Sequence, residues 1–465
     1  MIFRDMTLRT LCFGIALLAM PVVAQAQTAS FAVQADQIVN RFTTPAGPSA
    51  SVAVYRDGKL IYQRARGESS IELHVPAKAE SIYRIGSITK TVTAATVLTL
   101  VHDGKLALAD PLSKFLPDYP GASSITIAQL LSHTAGVSDE WNADPTQPLD
   151  TKTLVSLIAK QPLDFKPGSE WRYSNSGYML LGAVIEKVSG KPWFEAEHDL
   201  VLAPFGMTHT AYYADDAVVE GAVRGYSADA SGKVTQPAFV SISGPMAAGA
   251  LASTADDIAK LAEGLGNARV FPADLLKAMT TPATLTDGST APYGYGLMLS
   301  TVRGEPAYGH NGGIEGFSSQ FFVIPKAHVA VAVLVNSGVG TPSARAIALQ
   351  LAAATLGKPY RTFVDEKLSD TAMRALVGTY RIQGDSVHTI TLDGGQLYIQ
   401  RAPGPKRRLA TAKGDVLYYV GEATDYIHVG KDKAGKVSAL EFYSDGMAPA
   451  RVEPRCCEDK ATQQR

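Results

Sequence analysis

The chain has 465 residues, 46% of them hydrophobic and 19% charged, enough to bury a large core in one big domain with a smaller one beside it. Lys and Arg total 43 against 44 Asp and Glu, so no basic excess points to nucleic acid or to an anionic membrane surface as a partner. A small-molecule or peptide substrate is the default that remains, with the oligomeric state left open.

Residues 1–26 read as a secretory signal. Arg4 and Arg9 precede the apolar run from Leu11 to Met20, and Ala24-Gln25-Ala26 offers small residues for cleavage before Gln27. The mature chain is therefore expected in the periplasm or outside the cell. Cys12 lies inside that signal and lacks the small-residue setting of a lipid-modified cysteine, while Cys456 and Cys457 are adjacent near the polar C-terminal end and cannot staple a core. No later apolar stretch reaches the ~18 uncharged residues a membrane span needs.

Phe31, Ala35, Ile38, Val39 and Phe42 recur at helical spacing and predict a first helix that covers a sheet. Val52 and Val54 alternate with Ala53 and Tyr55, Asp57-Gly58 supplies a two-residue turn, and Leu60 to Ala65 returns, which predicts a β-hairpin. Ile82 to Ile85 then leads to Gly86-Ser87-Ile88-Thr89-Lys90, at the start of a helix through Val92, Ala95, Leu98 and Val101 that ends before Gly104.

Ser87 and Lys90 stand one above the other on such a helix, so the amine reaches the hydroxyl without a distant loop. A serine hydroxyl must lose its proton to a base as it attacks, and Lys90 can serve only when neutral. Bringing a lysine from its reference pKa of about 10.4 to near 7 takes about 4 kcal/mol of burial or like-charge repulsion. The position at a helix N-terminus also favours an alkoxide and the oxyanion of acyl transfer. A solvated helix face is the plain alternative, set against this being the chain's only Ser-x-x-Lys.

From Leu106 to Leu265 the pattern is mainly helical. Thr126 with Gln129, and Ser253 with Asp256, read as capping boxes. Trp171-Arg172-Tyr173-Ser174-Asn175 precedes a helix through Tyr178, Leu181 and Ile185; residues two apart in an extended segment share a face, so Tyr173 and Asn175 point together into a cleft or, alternatively, are a core tyrosine and a capping asparagine. His133, in a short Thr-Ala-Gly turn, is read as structural, and Tyr293 as part of a glycine-punctuated strand entry.

Leu297 to Val302, Phe317 to Ile324 and Val329 to Val335 predict three strands of an antiparallel sheet, and Thr341-Pro342 caps a final helix through Ile347, Leu351 and Ala354 that packs beside the first. Gly309-His310-Asn311-Gly312-Gly313 reads as a Gly-rich turn that lets a backbone N–H approach a substrate oxygen. Past Pro359, short β-like runs predict an antiparallel β-domain of about 100 residues with no catalytic constellation. No spacing calls for a metal or cofactor.

In this order, Ser-Ile-Thr-Lys, Tyr-Ser-Asn and His-Asn-Gly resemble the three motifs of the serine β-lactamase and penicillin-binding-protein family, in particular its class C-like branch with DD-carboxypeptidases, D-aminopeptidases and esterases. The resemblance extends through Leu130 to Gly136, Pro167-Gly168 and Ala248 to Thr254, over roughly residues 30–356. It implies an α+β fold, an antiparallel sheet flanked by helices with an all-helical subdomain, over 27–358, followed by a barrel-like accessory domain over 359–465. It also implies an acyl-enzyme on Ser87, proton traffic through Lys90 and Tyr173 with the base left open between them, and an oxyanion hole from the backbones of Ser87 and Gly313. Asn175, His310, Gly312 and Gly313 would contact substrate.

His310 stands where β-lactamases usually carry lysine. A histidine is mostly neutral at pH 7 and weakens recognition of a substrate carboxylate. A D-peptide hydrolase or esterase is therefore expected ahead of an efficient β-lactamase, with a slowly acylating sensor module as the alternative of another class.

Overall fold

The computed structural model describes residues 31–456 apart from 230–232, 268–269, 339–341, 383–385, 421–423 and 449. The expected signal segment, with Cys12, and Cys457 lie outside the described residues. Helix α1 is 31–42. Strands β1, Ala50–Arg56, and β2, Lys59–Arg66, form the predicted hairpin, and Asp57 and Gly58 between them have φ of 51° and 71°, the left-handed pair a two-residue hairpin turn requires. Helices α2, Thr89–His102, α3, Asn175–Ser189, and α4, Ala255–Leu265, follow. The sheet resumes with β3, Met298–Val302, β4, Glu305–Ile314, β5, Phe317–Ile324, and β6, Val329–Val335, and α5 is Ala344–Thr355.

The strand order is β3-β4-β5-β6-β1-β2, all antiparallel. Ala50 pairs with Val335 and Arg56 with Val329, so the two ends of this region close one sheet. Its alternation sorts two cores. Val52, Val54, Val331, Val333 and Val335 pack with Ala35, Ile38 and Val39 of α1 and with Ile347 and Leu351 of α5. Ala53, Phe321, Ala332 and Leu334 face a larger core with Val92 and Leu98 of α2 and Ile258 and Leu261 of α4. Both terminal helices thus share one face, as expected, and α2 packs on the other.

Three local readings need correction. The five residues Gly309 to Gly313 lie on β4, not in a turn, because they pair in register with β5, His310 opposite Phe321 and Gly313 opposite Ser318. A Cβ at Gly309 would stand 2.1 Å from the Phe321 oxygen, so glycine here answers close strand packing. The cap of α4 is Thr254, accepting from the Asp257 N–H, because Ser253 is committed to pairing with Tyr83. The cap of α5 is Ser343, accepting from the Ala346 N–H, while Thr341 lies outside the described residues. The Thr126–Gln129 box forms both its bonds.

Residues Gly378–Arg381 to Arg451–Cys456 form a closed eight-stranded antiparallel barrel, filled by Tyr380, Ile390, Leu409, Leu417, Ile427 and Leu440. It meets the sheet at the turn between β3 and β4, where Arg303 donates to the Asp445 oxygen at 2.6 Å and to the Lys358 oxygen at 2.9 Å. That turn is the end of β4 remote from Gly313. No helix among the described residues is long and apolar enough to cross a membrane.

Candidate active site

A single tight turn, Gly86–Ile88, leads into α2 and carries Ser87. Gly86 has φ of 52°, and a Cβ there would come within 2.8 Å of the Gly313 oxygen and 2.9 Å of the Gly313 nitrogen. Only glycine allows the two backbones to lie this close. The β3 pairing of β4 ends at Gly309, so beyond it the strand runs beside the Ser87 turn where a neighbouring strand would otherwise be.

Lys90 is fully buried one turn into α2, and its Nζ lies 3.2 Å from Ser87 Oγ, 2.8 Å from Asn175 Oδ1 and 2.7 Å from the Ala248 oxygen. The last two are acceptors only. They occupy two hydrogens of a neutral amine and leave its lone pair toward Ser87. Burial brings the lysine down to about 7, against the opposing pull of the Asp139 carboxylate. Beneath it, Thr93 Oγ1 lies 2.7 Å from Glu197 Oε1 and 2.6 Å from the Ala247 oxygen. Burial raises the Glu197 carboxyl well above its ordinary range, opposed by the hydrogen bond that Thr93 Oγ1 donates to it.

Asn175 opens α3, whose cap is Ser174, accepting from the Gly177 N–H at 3.0 Å. Asp139 binds this whole terminus: it accepts from Ser174 Oγ at 3.0 Å, from the Asn175 and Ser176 N–H groups at 2.8 and 2.7 Å, and from Asn175 Nδ2 at 3.3 Å. The last bond turns the Asn175 carbonyl toward Lys90. A carboxylate at a helix N-terminus is stabilised by the dipole. Nothing local marks Asp139 in the sequence, since it lies 36 residues before its partner.

Beside the pair lies an aromatic cluster of part-buried Tyr173 and buried His133 and Tyr293. Lys90 Nζ stands 4.8 Å from the Tyr173 ring centre. Burial raises the Tyr173 phenol above its ordinary value, offset by hydrogen bonding to Ser87, and keeps it protonated at neutral pH. His133 packs 4.4 Å from the Tyr173 ring and 4.6 Å from the Tyr293 ring, and its Nδ1 accepts from the Ser174 N–H at 3.1 Å. This is a structural role, as expected, and it braces the Tyr173 to Asn175 segment. Tyr293, left out of the candidates, donates to His310 Nε2 at 2.8 Å, and His310 Nδ1–H donates to the Asn311 oxygen at 2.6 Å.

A cleft of about 380 Å³ opens above, lined by Ser87, Asn175 and Gly313 together with Trp141, Met179 and Glu315. Lys90, fully buried, and Tyr173, part-buried, are not among its lining residues. His310 and Gly312, expected to touch substrate, do not line it. His310 has no exposed surface and both ring nitrogens are engaged, and burial lowers it to about 3, so it is a neutral prop for Tyr293. Gly312 faces the protein, where a Cβ would lie 1.9 Å from the Ile85 oxygen. Among the described residues no group of three or more His, Cys, Asp or Glu is placed to hold a metal ion.

Residues 35–356 match the family model described as Beta-lactamase. The chain is 26% identical over 343 residues to a D-aminopeptidase of Gluconobacter oxydans, a match covering 72% of this chain and 63% of that protein, so the alignment spans less than two thirds of the relative. The crystal structure of SurE is similar over 93% of this chain and all of that one, with a TM-score of 0.61 and 27% identity. A D-amino acid amidase from Ochrobactrum anthropi, complexed with L-phenylalanine amide, is similar over 72% of this chain and 98% of that one, with a TM-score of 0.61 and 25% identity.

Proposed function

Because the chain belongs to the beta-lactamase family and is a serine hydrolase of that family, we propose that it cleaves an amide or ester bond at a D-amino-acid residue through an acyl-enzyme on Ser87. The observation that carries this reading is a buried Lys90 near pKa 7, held 3.2 Å from a hydroxyl at the wall of a cleft. Lys90 takes the Ser87 proton as Oγ attacks the carbonyl, and the oxyanion forms between the Ser87 and Gly313 backbones. Tyr173, a protonated phenol beside both groups, relays a proton to the leaving amine or alkoxide. Water then hydrolyses the ester. Asn175 holds the amine of Lys90 and presents its edge to the substrate amide. The D-amino-acid preference is supported by what the relatives are named for.

Export belongs to the same reading: residues 1–26 would be removed and the mature chain would begin at Gln27 in the periplasm. Intact-mass measurement of the extracytoplasmic protein tests that.

Purified protein and Ser87→Ala, incubated with a fluorophosphonate, nitrophenyl esters, D-alanine amides, D-Ala-D-Ala peptides and a chromogenic cephalosporin, test the reaction. Hydrolysis of the ester and a D-amino-acid amide by wild type, and by neither in Ser87→Ala, is expected. Persistent labelling of Ser87 with no turnover of any substrate would identify a sensor instead.

A further inference from the structure

We infer that Glu315 reads a positive charge on the substrate, so that the preferred substrates carry a free ammonium group close to the scissile carbonyl. This rests on the proposed hydrolytic function and narrows its substrate class. Glu315 lines the cleft two residues beyond Gly313, about 7 Å along the chain from a candidate oxyanion donor. Its neighbour Gly316, with φ of 79°, fixes the turn: the Gly316 oxygen accepts from the Tyr226 N–H at 3.2 Å, and a Cβ at Gly316 would meet Gly225 at 2.8 Å. The carboxylate is therefore mounted on an anchored backbone.

Other acidic groups of the cleft are engaged. Asp139 is saturated by the α3 terminus, and Asp144 accepts from the Thr146 N–H and hydroxyl at 2.9 and 2.7 Å. Glu315 makes no hydrogen bond or ion pair among the described residues. Arg84, on which Glu315 acts electrostatically, stands outside the cleft lining and lies 3.8 Å from Asp215. No Lys, Arg or His lines the cleft, His310 is buried and neutral, and Lys90 is beneath the surface. A substrate carboxylate would meet three carboxylates and no counter-charge there. Glu315 is exposed at the rim of the cleft, so an arriving ammonium would meet an unpaired carboxylate and form a charge-assisted hydrogen bond with it.

The experiment compares kcat/KM for D-alanine p-nitroanilide and its N-acetyl form in wild type, Glu315→Gln and Glu315→Lys, with p-nitrophenyl acetate assayed alongside to show Ser87-dependent turnover. Wild type is expected to favour the free amine, Glu315→Gln to reduce that ratio about tenfold, and Glu315→Lys to reduce it further. Equal falls on both anilides, or a wild-type preference for the N-acetyl form, would overturn the assignment while ester turnover leaves the hydrolase reading standing. Absence of any Ser87-dependent hydrolysis would overturn both.

Discussion

Asp139 Oδ2 accepts from both the backbone and the side-chain amide of Asn175, at 2.8 and 3.3 Å, and so decides which end of that amide faces Lys90. The carboxylate also raises the Lys90 pKa against the effect of burial. Replacing it acts on orientation and charge together. Asp139→Asn should lower kcat/KM about tenfold or more and move the acid limb of its pH profile below that of wild type, because the amine becomes easier to deprotonate. A limb that stays put or moves upward would show that Asp139 does not act on Lys90.

On the proposed mechanism Lys90 sets that limb. The neutral amine is the active form, so wild-type kcat/KM should rise with pH through about 7 and then level. Lys90→Met should lose about 10²- to 10⁴-fold in kcat. Stability follows the same proton. The unfolded lysine holds its proton up to its ordinary 10.5, whereas the folded one releases it near 7, so between these values the unfolded state binds more protons. Wild-type stability should therefore rise with pH relative to Lys90→Met across that window, by at most about 1.4 kcal/mol per pH unit. Denaturation midpoints at several pH values check the sign, and a falling difference would contradict the buried amine.

Adjacent glycines should behave differently. A Cβ at Gly312 would collide with the Ile85 oxygen at 1.9 Å, while at Gly313 nothing lies within 4 Å. Gly312→Ala is expected to destabilise by about 3 kcal/mol and Gly313→Ala by well under half of that, read from urea midpoints. Equal losses would mean that the strand and the Ser87 turn are not packed as described.

His310 and Tyr293 form a neutral buried pair. Since His310 is held down to about 3, no limb of the pH profile between 5 and 8 should belong to it. His310→Ala strands the Tyr293 hydroxyl and should cost about 1–3 kcal/mol of stability. A wild-type acid limb that survives in Lys90→Met but disappears in His310→Ala would reverse these roles.

Much was legible in the sequence wherever distance along the chain fixes distance in space. One helical turn puts Lys90 over Ser87, Asp57-Gly58 turns a hairpin, and short β-branched and aromatic runs mark Phe317 to Ile324 and Val329 to Val335 as strands with the observed ends. The glycines at 309 to 313 misled because the same residue serves a turn and a tightly packed strand, and only the neighbour, Phe321 or Ile85, tells them apart. The cap of α4 slipped by one residue, from Ser253 to Thr254, because Ser253 lies on a strand paired with Tyr83 and its hydroxyl meets that of Thr210.

By itself, then, the order of residues determined that Lys90 meets Ser87 and where the strands of the sheet run, since covalent spacing and backbone periodicity suffice to bring those groups together. Tertiary structure decided that Asp139 governs Asn175, that His310 is a hidden prop for Tyr293, and that Glu315 stands unpaired at the cleft. Those outcomes depend on burial and on which remote segment arrives beside a side chain, and the free energy of a charge is set by that surrounding medium, which the chain acquires only on folding.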